Sequence, residues 1–323
     1  NPANNLLEQG FTVSARPPWP EGWVEMTPMP SGIKPVKDGA WLAIDPETQL
    51  IYATRGNKTP DFFRYDAVAD TWTTLAPFPE GAEGKPPRKG SRGIVDGNGF
   101  LYATKGNNTF GFWKYDIAND TWGALPNVPE GPSRKKVKGG TDMAYVDIEG
   151  TGYVYLMKGY KTEFYRYNTE TGAWETLTDM PITTKDKWDK GSWLAYDGGN
   201  NLYAHQAKYY NRTTEKHHMF RYDILADSFE EVTGMPLWGL HGGRLKKKKA
   251  KDGSSGAYFD GMIYALKGGN TQQFFGYDVA ADTWTELDTM PTFGSTGKKK
   301  RVKHGADIVS WGGGAFFALK GNK

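Results

Sequence analysis

A short basic motif recurs six times along this chain, and this repetition constrains the fold more than any other feature. Each copy follows a Pro-containing segment and leads through a glycine into a short apolar run. The marker lysines of the copies are Lys37, Lys89, Lys138, Lys190, Lys251 and Lys303, at intervals of 52, 49, 52, 61 and 52 residues. Self-similarity at a nearly fixed period is typical of repeat architectures. The sequence therefore predicts one body of similar units rather than two unrelated domains.

Each full repeat contains four runs that have the composition of β-strands. In the first repeat these runs are 40–44, 50–54, 62–65 and 71–75. They are rich in aromatic and β-branched residues and are separated by Gly, Asp, Asn and Pro, a pattern that indicates short strands joined by tight turns. We expect an all-β chain.

The third and fourth runs carry side chains that recur from repeat to repeat. The third run contains a Tyr-Asp or Tyr-Asn pair, such as Tyr115-Asp116, and the fourth contains an aromatic residue, such as Trp122, before a segment that ends in Pro. Over residues 23–323 this pattern resembles that of the Kelch-repeat β-propellers. The resemblance implies a propeller fold but no particular activity, because propellers include enzymes, adaptors and lectins.

The resemblance and the count of repeats lead us to expect a six-bladed β-propeller of four-stranded antiparallel blades. Its repeats would start near residues 31, 81, 131, 182, 237 and 292. The segment 23–30 reads as a lone fourth strand, so we expect the ring to be closed by an N-terminal strand in the last blade, which removes two open sheet edges. Residues 1–22 would be an N-terminal extension or part of the closing blade. The third strand of the closing blade would come from residues 10–14 or from sequence beyond Lys323.

The charged residues divide unequally between the links that join one blade to the next and the rest of the chain. The links 31–38, 81–90, 131–139, 182–191, 237–253 and 292–304 hold 23 of the 40 Lys and Arg but only 5 of the 37 Asp and Glu. An antiparallel meander brings all these links to one end of the ring. A net charge of +3 thus conceals a predicted bipolar molecule with one basic and one acidic face.

These charges predict an anion-binding site on the basic face. The innermost strands line the axis, so the six marker lysines should surround the mouth of the channel. Near them should lie the basic residues that replace the first Gly of the Kelch Gly-Gly pair, with Gln206 in the fourth copy. This second set comprises Arg55, Lys105, Lys158, Lys267 and Lys320. Lysine rather than arginine favours delocalised charge attraction over bidentate recognition, and the alternative interpretation is a set of solvated loops.

The fourth repeat departs from the pattern, because the segment between its second and third strands is long. Its weak candidates for catalysis are His205, Tyr209, Tyr210, His217 and His218, which could support proton abstraction in a polysaccharide lyase. His205, His217 and His218 could also bind a metal ion. However, adjacent histidines point to opposite sides of a strand, so we expect no metal and no cofactor. The chain has no cysteine, which excludes thiolate chemistry.

Three functions remain open from the sequence. The first is a noncatalytic binding module for an anionic polymer or surface, such as an acidic polysaccharide, a nucleic acid or an acidic protein. The second is a lyase that acts on acidic polysaccharide, and the third is assembly of copies by stacking of basic on acidic faces. The first residues lack an initiator Met and a signal-peptide pattern, which favours a processed chain or a fragment, and we expect a secreted or extracellular location. No apolar run is long enough to insert across a membrane.

Overall fold

Residues 19–321 are the part of the chain that the computed structural model describes, and they consist of β-strands, turns and links. Most strands form five antiparallel sheets of four strands, in which consecutive strands are neighbours. Each sheet is one blade of a β-propeller. Blade 1 contains β1 (Trp41–Ile44), β2 (Ile51–Thr54), β3 (Phe62–Asp66) and β4 (Thr71–Thr74). Blade 2 contains β5 (Arg92–Val95), β6 (Phe100–Thr104), β7 (Phe112–Asp116) and β8 (Thr121–Leu125).

The remaining blades have the same strand order. Blade 3 contains β9 (Asp142–Ile148), β10 (Thr151–Met157), β11 (Phe164–Asn168) and β12 (Trp174–Thr176). Blade 4 contains β13 (Trp193–Tyr196), β14 (Asn201–Asn211), β15 (Lys216–Asp223) and β16 (Ser228–Val232). A small hairpin of β17 (Trp238–Leu240) and β18 (Leu245–Lys247) precedes blade 5. Blade 5 contains β19 (Ser255–Phe259), β20 (Met262–Leu266), β21 (Phe274–Asp278) and β22 (Thr283–Leu287). A two-stranded sheet follows, made of β23 (Asp307–Gly312) and β24 (Ala315–Leu319).

The first strands of the five blades contact one another in chain order around the axis, and β23 contacts both β19 and β1. Apolar clusters fill the spaces between neighbouring sheets. Between blades 1 and 2, for example, Trp41 and Phe62 pack with Tyr115 in a fully buried cluster. The aromatic residues of the repeat therefore form cores between blades, and burial of their large apolar areas stabilises the ring.

The prediction of six four-stranded blades is wrong, because the structure contains five. The sixth repeat forms only the sheet of β23 and β24, and within residues 19–321 no other strand pairs with it. The physical reason is visible in the sequence, since this repeat has no Tyr-Asp run and no Trp run after it with which to form third and fourth strands. The candidate third strand at residues 10–14 lies outside the described residues.

Closure of the ring by an N-terminal strand is also incorrect for the described residues. Residues 19–30 have no strand hydrogen bonds and contact their neighbours mainly through side chains. The ring of Trp19 packs edge-on against Trp311, with centroids 5.2 Å apart, and the Trp23 indole N–H donates to the Asp288 carbonyl at 2.9 Å. The segment thus ties the two-stranded sheet and blade 5 together without extending either sheet.

The recurrent Tyr and Trp residues make a contact between one blade and the next. At the boundary of blades 1 and 2, the Tyr115 hydroxyl donates to Asp120 at 2.5 Å, and the same carboxylate accepts the backbone N–H of Ala76 at 2.8 Å. The Trp122 indole N–H then donates to the Ala76 carbonyl at 3.1 Å. Thr27, in the N-terminal segment, is held in the same way by Asp70 and Trp72 of blade 1.

The antiparallel strand order defines two ends of the ring. We call the end with the blade-to-blade links and the loops between second and third strands the link face, and the opposite end the turn face. Among residues 19–321, the structure holds no helix with the length and apolar character needed to cross a membrane.

Candidate anion-binding face

Six glycines with left-handed backbone conformations bring the links together around the axis. They are Gly39, Gly90, Gly140, Gly191, Gly253 and Gly305, with φ between 77° and 103°. Each packs directly against the backbone of the next link, so that a Cβ atom added to Gly305 would lie 2.3 Å from the carbonyl oxygen of Lys37. The glycine, rather than the lysine, is therefore the residue that occupies the same place in every repeat.

Alignment on these glycines separates the six marker lysines into two sets. Lys37, Lys138, Lys251 and Lys303 lie two residues before the glycine, whereas Lys89 and Lys190 lie one residue before it. In that second position the other repeats carry Asp38, Gly139, Asp252 and His304. The predicted ring of six lysines at the channel mouth is thus a ring of mixed charge in the structure.

A small axial cavity of about 70 Å³ opens between these residues, and Asp38, Lys89, Lys190, Asp252 and His304 line it. The ammonium group of Lys89 lies 3.8 Å from Asp38, and that of Lys190 lies 3.5 Å from Asp252. Partial burial and the neighbouring Lys190 lower the pKa of Lys89. Burial also lowers the pKa of Lys190, but neighbouring groups, the Asp252 carboxylate foremost, outweigh it and raise the pKa.

His304 lies between the two carboxylates of the axial cavity. Its Nδ1 atom is 3.1 Å from Asp38 Oδ1 and 2.8 Å from Asp252 Oδ2, although neither contact has the angles of a hydrogen bond. These three side chains place their ligand atoms close enough to hold a metal ion. However, the same carboxylates already face Lys89 and Lys190, whose charges compete with a cation. We therefore assign no metal to this cluster.

Below this ring, a buried ion cluster links three innermost strands. Arg92 Nε on β5 lies 3.0 Å from Asp142 on β9, and its Nη1 lies 2.6 Å from Asp307 on β23. The second carboxylate also accepts the backbone N–H of Leu42 at 2.9 Å. Burial raises the pKa of Asp142 to about 6, against the opposing effect of the Arg92 charge. The cluster holds the inner strands together across the axis.

The second predicted set of anion-binding residues is largely buried. Arg55, Lys105, Lys158 and Lys267 are buried, and Lys320 is partly buried. Each donates to a backbone carbonyl at or just before the start of the preceding link, as Lys158 does to Glu130 at 2.5 Å and Lys267 to Leu237 at 2.7 Å. Burial lowers the pKa of Lys267 to about 7. These side chains fasten links to blades and leave little charge exposed to a ligand.

A second cavity, of about 170 Å³, lies on the link face at blades 2, 3 and 4. We call it the lysine cavity, and it is lined by Arg88, Lys89, Asn107, Asn108, Lys138, Gly139, Tyr160, Asp189 and Lys190. Its only carboxylate among these residues, that of Asp189, is paired with Lys208 at 2.9 Å. The lysine cavity therefore brings four cations together, two of which, Lys89 and Lys190, also face Asp38 and Asp252 in the axial cavity.

Tyr160 has an unusual position in this cavity. Its φ of 68° is uncommon for a bulky residue. Its backbone N–H donates to the Trp188 carbonyl at 2.6 Å, and Lys138 Nζ lies 3.9 Å from the centre of its ring. Lys187 Nζ approaches the same ring at 5.3 Å. The aromatic ring thus holds ammonium groups at the cavity by cation–π attraction.

Sequence reasoning included Lys89, Lys138 and Lys190 but missed Arg88, Tyr160 and the axial Asp38 and Asp252. Aligning the repeats on the invariant glycine would have found the axial residues. Nothing in the linear sequence signals Tyr160, which reaches the cavity from the loop after β10 by a backbone turn. Lys37, Lys251 and Lys303 line neither cavity, and of these three Lys251 is exposed.

All five candidates for catalysis lie on strands rather than on a free loop. The strands β14 and β15 extend past their neighbours, and a bulge falls between Gln206 and Tyr210. His205 is fully buried and its ring stacks on Trp193 with centroids 5.0 Å apart. Burial, with the neighbouring His217, lowers the pKa of His205 well below its usual value.

The other candidates also have structural contacts. His217 Nδ1 lies 2.7 Å from the Tyr209 carbonyl, and its Nε2 accepts the backbone N–H of Ala250 at 2.8 Å. Burial lowers its pKa to about 3, so the ring is neutral with both nitrogens occupied. His218 Nδ1 lies 2.8 Å from Glu231, and Lys249 Nζ lies 4.6 Å from the Tyr210 ring centre. Both nitrogens of His205 and the Nε2 of His218 are buried without a hydrogen-bond partner, but among residues 19–321 no group of three potential metal ligands includes these histidines.

The fold and the charged link face define a β-propeller with a basic cavity beside its axis. Comparisons with models of known protein families and with curated proteins find no match to this chain.

Proposed function

We propose that the protein is a noncatalytic binding module that takes anionic groups of a polymer or an acidic surface into the lysine cavity. The observation that carries this proposal is the convergence of Arg88, Lys89, Lys138 and Lys190 on one cavity. Like charges brought together repel one another, and a bound anion would remove that repulsion. The unfavourable environment of the charged form is evident at Lys89, because burial and the neighbouring Lys190 lower its pKa.

The surroundings of the cavity support an extended ligand. Lys135, Lys136 and Lys185 are exposed on the adjoining links. Such separate lysines attract a chain of negative charges without fixing its orientation. Acidic polysaccharide, nucleic acid and acidic protein all satisfy this chemistry. We also propose, on the Tyr-Asp and Trp residues, that the repeats are of the Kelch type.

Titration calorimetry with a sulfated polysaccharide and with pyrophosphate tests the proposal. Both probes should bind, and affinity for the polymer should fall steeply between 50 and 200 mM salt, as release of counterions requires. The double variant Arg88→Gln/Lys138→Gln should bind both probes at least about tenfold more weakly. Lys58→Gln removes an exposed charge outside the cavity and is the matched control. Affinity that does not depend on salt, or that the double variant retains, would contradict the proposal.

The lyase and the stacked assembly stay predictions from the sequence. The buried positions of His205 and His217 give the lyase no support, because neither ring reaches solvent. The predicted basic and acidic faces are compatible with stacking of one copy of the protein on the next.

A further inference from the structure

Exposed apolar side chains are concentrated on the link face. Nine large apolar residues are exposed within residues 19–321. Two of them, Val68 and Leu225, lie in turns of the turn face, and Val24 lies in the N-terminal segment. The other six lie in links, namely Ile33, Ile182, Trp238, Leu240, Leu245 and Phe293. The links 81–90 and 131–139 at the lysine cavity contribute none of the nine, and the third link at this cavity, 182–191, contributes only Ile182. Most of the apolar set therefore lies on links that do not line the cavity.

The hairpin of β17 and β18 shows how these side chains are presented. Leu240 pairs with Leu245 beside the turn, and Trp238 pairs with Lys247 at the base. Residues two apart on a strand share a face, so one side of the hairpin has an apolar tip and a basic base. The Trp238 indole N–H donates to the Glu215 carboxylate, and the ring remains 43% exposed.

The next link has the same composition. Phe293 forms an isolated bridge with Lys299, and the backbone N–H of Lys300 donates to the Thr292 carbonyl at 2.8 Å. Phe293 is exposed beside Lys298 and Lys299. The links 237–253 and 292–304 together contain eleven Lys and Arg and a single acidic residue, Asp252. That carboxylate points to Lys190 and His304 in the axial cavity.

We propose that this part of the link face adsorbs to the surface of an anionic lipid bilayer. Apolar side chains at separate loop tips, with lysines behind them, match an interface in which acyl chains lie beneath negative headgroups. Trp238, whose indole N–H is hydrogen-bonded while its ring is partly exposed, is suited to the same boundary between headgroups and acyl chains. Four of the six residues are aliphatic. Aliphatic groups do not stack on sugars or bases as aromatic rings do, so a membrane fits this set better than a polysaccharide or a nucleic acid. No segment of the chain crosses the bilayer in this proposal.

Flotation with lipid vesicles tests the inference. The protein should bind vesicles of phosphatidylcholine with 30 mol% phosphatidylserine at about 50 mM salt and should not bind phosphatidylcholine alone. Leu240→Ser/Leu245→Ser should weaken binding at least about tenfold, because each leucine loses apolar burial. Val68→Ser/Leu225→Ser likewise replaces two exposed apolar side chains by serine, but on the turn face, and should bind like the unaltered protein. Thermal unfolding checks that all variants are folded.

Insertion has its own readout, because the chain contains no cysteine. Leu245→Cys and Leu225→Cys can each carry one environment-sensitive dye. The dye at position 245 should shift to shorter wavelengths with anionic vesicles, and the dye at position 225 should not. Absence of vesicle binding, or equal binding by Leu240→Ser/Leu245→Ser, would overturn the inference. If vesicle binding fails but pyrophosphate still binds in the lysine cavity, the proposed function stays intact. Binding to sulfated polysaccharide without binding to vesicles identifies a polymer as the partner.

Discussion

The ammonium group of Lys138 lies 3.9 Å from the centre of the Tyr160 ring. The two residues come from different parts of the molecule, since Lys138 precedes blade 3 and Tyr160 follows its second strand. The contact orients one cation of the lysine cavity at a cost of backbone strain in Tyr160, whose φ is 68°. Asn108 and Asn270 have the same left-handed backbone in other repeats, so this conformation belongs to the repeat, whereas of these three residues only Tyr160 carries an aromatic ring.

Replacing Tyr160 by asparagine tests that relationship. In other repeats, Asn108 and Asn270 have left-handed backbones and donate their N–H to the next link as Tyr160 does. Tyr160→Asn should therefore keep the fold while releasing Lys138. We expect affinity for pyrophosphate to fall about three- to tenfold, given a cation–π energy of about 1 kcal/mol. Calorimetry measures the affinity, and an unchanged affinity would show that the ring does not organise the cavity.

The close packing of glycines around the axis predicts a large loss of stability on substitution. A Cβ atom at Gly253 would lie 2.0 Å from the carbonyl oxygen of Lys303, whereas Gly261 has similar φ and no atom within 4 Å of its Cβ position. Gly261→Ala should cost about 1 kcal/mol, the strain of a left-handed alanine. Gly253→Ala should cost several times more. Urea unfolding measures both, and equal costs would mean that the links move apart freely.

The ion cluster at the axis predicts a second loss of stability. Arg92→Met should reduce the free energy of unfolding by about 3–5 kcal/mol, because it leaves Asp142 and Asp307 buried without their partner. Adding Asp142→Asn and Asp307→Asn should recover part of the loss, since the unpaired charges disappear. Denaturant unfolding distinguishes these outcomes. A loss of less than about 1 kcal/mol in the single variant would show that solvent reaches the carboxylates.

The buried Lys267 predicts a dependence of stability on pH. Its pKa is lowered from 10.5 to about 7 in the folded protein, so the unfolded chain binds more protons between these values. The free energy of unfolding should therefore rise with pH from about 7 to 10.5, with a contribution of at most about 1.4 kcal/mol per pH unit from this lysine. Lys267→Met should remove that contribution, whereas the exposed Lys58→Met should not. Parallel slopes in all three proteins would contradict the expectation.

How far the fold is predictable from the sequence varies among its elements. The all-β class followed from runs such as 62–65, and the propeller arrangement followed from the resemblance carried by the recurrent Tyr and Trp residues, which every blade buries at the same positions. The number of four-stranded blades did not follow, because counting basic motifs gives six units although the last one lacks its outer strands. Residues 23–30 read as a strand, yet the contacts of this segment are made mainly by side chains, which a periodic pattern does not reveal.

The candidate anion-binding face is likewise only partly predictable from the sequence. The basic character of the links is a property of composition and is visible in the sequence. Whether a lysine faces the axis depends on a shift of one residue, which places Lys89 and Lys190 beside Asp38 and Asp252 and leaves Lys37 and Lys303 outside both cavities. The predicted second ring, such as Lys158 and Lys267, is basic but buried, because backbone carbonyls of the links require donors there.

The basic motif with its glycine is therefore what the sequence alone determines, since a repeated period reflects a repeated local structure. The tertiary structure determines which residues of the motif line a cavity and which face solvent. The lysine cavity exists only where the links of blades 2, 3 and 4 meet, and the apolar loop tips gain meaning only because the other links lie on the same face. Both depend on distances between residues about 50 or more positions apart in the chain, and these distances are set by packing between blades rather than by local sequence.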